Sequence, residues 1–82
     1  MDFYYTYVLK SRKDGKLYIG FTKDIKRRVI MHKKGEVNAT RERLPVELVY
    51  YEACRDKKYA VRREKQLKTG FGRAYLKRRL GL

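Results

Sequence analysis

The sequence predicts an α+β fold: a small three-stranded, mainly antiparallel sheet flanked by helices, in the order β-β-α-β-α-α. Two β-rich runs, FYYTYVLKS and LYIGF, stand either side of an Asp14-Gly15 turn. A third aromatic and β-branched run, VELVYYEAC, lies between two segments with helical spacing. Each of those helical segments stops at a glycine, Gly35 or Gly70.

Residues 3–11 are aromatic and β-branched with partial alternation, so they form the first strand. RKDGK supplies the hairpin turn, and 17–21 the second strand. Thr22 is placed to cap a helix over roughly 24–34, with Asp24 in its first turn near the positive dipole end. The polar stretch 36–45, ending in Pro45, reads as a loop. Residues 46–54 form the third strand. Asp56 caps a second helix over roughly 57–69, and Phe71 to Leu80 form a short terminal helix. A two-residue turn pairs Ser11 with Tyr18 and Leu9 with Gly20. Tyr7 and Tyr18 then share one face of the sheet, and Gly20 leaves room for a ligand. A loop of three or five residues would reverse that parity.

Eighty-two residues bound the chain to one small-cored domain, 1–82. Its net charge of +14 attracts polyanions, with nucleic acid ahead of an anionic membrane surface. The basic helices lack the broad exposed apolar face that membrane binding needs. The single cysteine, Cys54, excludes an internal disulfide and a multi-cysteine zinc site, and fits a small buried hydrophobe at a strand end. No run is apolar enough to span a membrane, and MDFYYTYVLK lacks signal-peptide character. These features predict a cytoplasmic protein with no obligate protein partner.

Polar residues fall on apolar helix faces. In the first helix Ile25, Arg28, Val29 and His32 share a face. Burial of Ile25 and Val29 carries Arg28 and His32 inward, while Lys26 and Arg27 point elsewhere. In the second helix Ala60, Arg63, Glu64 and Leu67 share a face. Glu64 then turns toward the sheet and needs a cation, either an arginine, a lysine or a metal. Tyr7, Tyr18, Arg28, His32 and Glu64, all inward in a +14 chain, read as a site for phosphate chemistry.

These residues resemble the GIY-YIG nucleases. Tyr18-Ile19-Gly20 followed by FTKDIKRRVIMH is similar to the second signature and first helix of that family. Asp24, Arg28 and His32 keep its spacing, and Glu64 in AVRREKQLK matches its late glutamate. Thr6-Tyr7-Val8 stands where the first signature's Gly-Ile-Tyr is sought; Tyr7 is its best tyrosine and Tyr5 the rival. The resemblance covers about residues 4–76. No asparagine or other polar residue after Glu64 matches the late one that some members carry.

The resemblance implies a divalent-metal endonuclease that hydrolyses DNA phosphodiesters with low sequence specificity, and points to branched or flapped DNA. Glu64 would hold one Mg2+ or Mn2+, with water and phosphate oxygens completing the shell. Arg28 would clamp the scissile phosphate. Tyr7 or Tyr18 would orient or deprotonate the attacking water, with Tyr7 favoured as base and the phenolate favoured by Arg28 and the metal. His32 would hydrogen-bond near that tyrosine or the phosphate. Lys26, Arg27, Lys33, Lys34, Arg41, Arg43 and Lys68 would contact the backbone, joined by the basic residues of the terminal helix. The alternative is a DNA- or RNA-binding module that has lost the chemistry.

Overall fold

The computed structural model describes residues 2–82, so the first residue of the expected 1–82 domain lies outside them. Strands β1 (Tyr4–Ser11) and β2 (Leu17–Thr22) form the hairpin. Helix α1 (Ile25–Lys33) and the single turn α2 (Asn38–Arg41) precede β3 (Val46–Cys54). Helices α3 (Lys57–Leu67) and α4 (Gly70–Leu80) complete the chain. The sheet is antiparallel with order β2-β1-β3, so β1 is central.

Two clusters, one on each face of the sheet, make the core. Tyr7, Leu9 and Val46 pack with Ile25 and Val29 of α1 on one face. Val8 and Ile19 pack with Leu67 of α3 and Leu76 of α4 on the other. This division follows the strand period of two. On the second face Arg63 of α3 grips Glu52 of β3 through Nε and Nη2, both at 2.9 Å. The Tyr50 hydroxyl donates to the same carboxylate at 2.6 Å and lies 3.0 Å from the Tyr75 hydroxyl. That network ties β3, α3 and α4 together.

The hairpin keeps the expected parity but not the expected pairing. Leu9 faces Tyr18 and Tyr7 faces Gly20. The turn holds four residues, 12–15, closed by Ser11 N donating to Lys16 O at 2.9 Å. The buried Ser11 Oγ accepts from the amides of Lys13 and Asp14 and donates to Arg43 O at 2.6 Å. Gly15 then takes φ +74°, which a side chain disfavours. A two-residue turn would strand those amides.

Three local expectations need correction. Asp24, not Thr22, is the N-cap of α1: its side chain accepts from Arg27 N, while Thr22 Oγ1 accepts from Asp24 N. Part of the expected loop 36–45 forms α2. Gly70 opens α4 instead of closing α3, because Thr69 caps α4 by accepting from Gly72 N. Cys54 does end β3, but it is half-buried. Among the described residues no helix is long and apolar enough to cross a membrane.

Candidate active site

Helix α1 lies across the sheet face that carries Tyr7 and Tyr18. Its Asp24 cap starts the helix so that Ile25 and Val29 reach the core and His32 follows them inward. His32 is 0% exposed and Tyr7 1%. The Tyr7 hydroxyl lies 2.8 Å from His32 Nε2. Arg28, one helical turn before His32, donates from Nε to the same hydroxyl at 3.4 Å. The ring of Tyr18 sits 6.3 Å from that of Tyr7 and 5.1 Å from that of His32. Tyr18 and Arg28 are half-buried, so they form the open side of the cluster.

Gly20 makes the arrangement fit, though not by leaving room for a ligand. A Cβ there would stand 2.5 Å from Cζ and from the hydroxyl oxygen of Tyr7. The phenol lies across the β2 backbone where a side chain would be.

Burial governs the charges. It pushes the Tyr7 phenol above its ordinary range, and the opposing hydrogen bond from Arg28 does not overcome it. The expectation that Arg28 makes Tyr7 a ready phenolate therefore does not hold for the free protein. Arg28 is held more firmly charged, chiefly by its hydrogen bond to Tyr7. Burial, then the Arg28 charge, lowers His32 to about 4, so its ring is neutral at neutral pH.

The chain also supplies a residue that sequence reasoning missed. Thr40, fully buried in α2, places Oγ1 2.7 Å from His32 Nδ1. His32 is thus held at both nitrogens, between Tyr7 of β1 and Thr40 of α2. The only signal in the sequence is a hydroxyl residue eight positions after the histidine, too general to be read.

Glu64 comes from α3, the helix whose Leu67 packs on the opposite face of the sheet. Its side chain is 19% exposed, and its partner is Lys68, Nζ to Oε2 3.0 Å, one turn on. The cation it needed is a lysine. Among the described residues no hydrogen bond or ion pair joins Glu64 to Tyr7, Tyr18, Arg28 or His32. Of the residues expected to contact a nucleic-acid backbone, Lys26, Arg27, Lys33, Lys34 and Arg41 are exposed. Lys68 is engaged by Glu64, and Arg43 Nε stands 3.5 Å from Asp14 Oδ2.

The GIY-YIG catalytic domain model matches residues 3–79. The chain belongs to the GIY-YIG family. Its GIY-YIG relatives include the UPF0213 protein SSP2268 of Staphylococcus saprophyticus, 46% identical over 70 residues that are 84% of each chain. The UPF0213 protein SERP0126 of Staphylococcus epidermidis is 44% identical with the same coverage. The solution NMR structure of the UPF0213 protein BH0048 from Bacillus halodurans is similar at a TM-score of 0.57 and 34% identity. That likeness covers 90% of this chain and 81% of the other. Membership places the chain in a nuclease superfamily, for which nucleic acid is the substrate. The chain holds no group of three or more histidine, cysteine or carboxylate side chains suited to a metal, among the described residues. One carboxylate, Glu64, fits a hard cation that keeps most of its water and takes phosphate oxygens.

Proposed function

We propose that the protein is a divalent-metal endonuclease that hydrolyses DNA phosphodiesters at the Tyr7–Arg28–His32 cluster. The observation that carries this reading is the buried Tyr7 hydroxyl, held between an imidazole at 2.8 Å and a guanidinium at 3.4 Å. A core needs neither a buried histidine nor an arginine aimed at a phenol, and unsatisfied polar groups there are costly.

The scissile phosphate docks on Arg28, whose fixed charge offsets that developing in the transition state. Tyr18, half-buried beside it, orients the phosphate and the attacking water. The Tyr7 oxygen accepts a proton from that water as its own proton passes to His32 Nε2. The water oxygen bonds to phosphorus while the bond from phosphorus to the leaving deoxyribose oxygen breaks, and that oxygen takes a proton from solvent water. Thr40 Oγ1 accepts from the Nδ1–H before and after the transfer, which keeps Nε2 as the proton acceptor. Tyr7 enters this relay as a phenol and His32 as a neutral imidazole, whose low basicity in the free protein the docked phosphate has to raise. Docked phosphate favours the imidazolium that forms. Glu64 would hold the metal, which supplies Lewis-acid stabilisation of the phosphate oxygens. Lys68 must release it first.

The exposed lysines and arginines bind backbone phosphates, which positions DNA without reading its sequence. Affinity then falls steeply with salt. Labelled linear, flapped and branched DNA, incubated with Mg2+, Mn2+ or EDTA beside Glu64→Ala, tests the reading. Cleavage should need the metal and Glu64. Cleavage that survives EDTA or Glu64→Ala sinks the metal role, and binding without cleavage on all substrates favours the binding module.

A further inference from the structure

A second basic site lies at the hairpin end of the sheet. A cavity of about 700 Å³ opens there between the β1–β2 turn and α4. That volume falls within the roughly 300–1,000 Å³ of small-molecule clefts. Lys10, Lys16, Arg43, Arg73 and Lys77 line it, and Leu17 gives it an apolar wall. Among the described residues no Asp or Glu side chain lines it.

Two observations point to an anion. First, five cations from the hairpin, the loop after α2 and helix α4 converge on one space in a chain already at +14. Asp14 pairs with Arg43, Leu82 completes the lining, and negative charge brought from outside relieves the repulsion among the other cations. Second, Arg43 Nε and Nη2 are buried without a hydrogen-bond acceptor. The Asp14 carboxylate, outside the cavity lining, forms an ion pair with Arg43 at 3.5 Å from Nε. Arg43 lines the cavity, and once its side chain turns outward a phosphate oxygen there supplies the acceptor these nitrogens lack, in the geometry arginine favours.

This cavity is not the candidate active site. Lys10 pairs with Leu17 and shares the face of Val8, which packs toward α3 and α4. Tyr7 and His32 lie on the α1 face. We propose that the cavity is a separate binding site for a phosphate-bearing ligand of nucleotide size. The ligand is either a free nucleotide or a segment of a nucleic-acid strand.

Calorimetric titration with inorganic pyrophosphate tests this without relying on cleavage. The wild-type protein should bind one pyrophosphate saturably. Arg43→Gln and the double variant Arg73→Gln/Lys77→Gln should each weaken binding about tenfold or more. The double variant alters only exposed helix positions, so it stays informative if Arg43→Gln fails to fold. Lys57→Gln/Lys65→Gln removes equal charge elsewhere on the surface and should leave the affinity unchanged. Equal weakening by both double variants, or no saturable binding, overturns the site. Displacement of pyrophosphate by a DNA strand assigns the site to nucleic acid, and displacement by a nucleoside diphosphate alone assigns it to a free nucleotide. An inactive Tyr7 centre leaves each of these readouts intact, so the two readings fail separately.

Discussion

At the scale of single residues, the site depends on Gly20 and His32. Gly20→Ala places a methyl 2.5 Å from the Tyr7 phenol, which is buried and held by His32 and Arg28. The ring has to leave its partners. Chemical denaturation should show a loss of about 1–3 kcal/mol, as for other overpacked cores. An unchanged midpoint contradicts this packing. His32, lowered to about 4 in the fold and near 6.5 when unfolded, takes up a proton first in the unfolded chain as pH falls. Stability should therefore drop between about pH 6.5 and 4, by about 3 kcal/mol in all. His32 is the only histidine, so the loss above pH 5 isolates it from the carboxylates. Denaturation curves that coincide at pH 7 and pH 5 refute the neutral buried imidazole. The inward turn of Arg28 and His32 was legible from their spacing with Ile25 and Val29. What Gly20 accommodates was not, because strand parity puts Tyr7 and Gly20 on one face but does not say that the ring lies over the backbone.

Elements place these residues, and most of them follow from local rules. Alternating aromatic runs around Asp14-Gly15 form the hairpin, and Asp56 caps α3 as its position suggests. Helix α2 was illegible because its four residues are too short to show a period, and it is held by the Thr40 contact to His32. The register of the hairpin was likewise hidden, since Ser11 binds the turn amides and Arg43 O only once the fold brings them together. The corner between α3 and α4 depends on close backbone approach at Gly72. A Cβ there would meet Gln66 O at 2.2 Å and Leu67 Cα at 2.4 Å. In an isolated helix Gly→Ala stabilises by about 1 kcal/mol. Here the obstacle is backbone, so Gly72→Ala should instead destabilise by about 3 kcal/mol. A thermal melt that rises on this substitution refutes the packing of the corner.

For the whole molecule, the sheet separates two chemistries. The α1 face carries Tyr7, Tyr18, Arg28 and His32, and the face on which α3 and α4 pack borders the second basic cavity. Sequence spacing sent all five proposed catalytic residues inward but did not distribute them between faces, because a helix period fixes direction only relative to its own axis. Membership of the GIY-YIG family and the +14 charge both point to nucleic acid, and neither establishes catalysis. That rests on the Tyr7 hydroxyl, and single-turnover cleavage by Tyr7→Phe at saturating DNA, with Mg2+ and low salt, tests it directly. The variant should still bind DNA, while its cleavage rate falls at least about 100-fold, the usual scale for a lost proton-transfer group. Cleavage within a few-fold of wild type by the folded, DNA-bound variant contradicts the account.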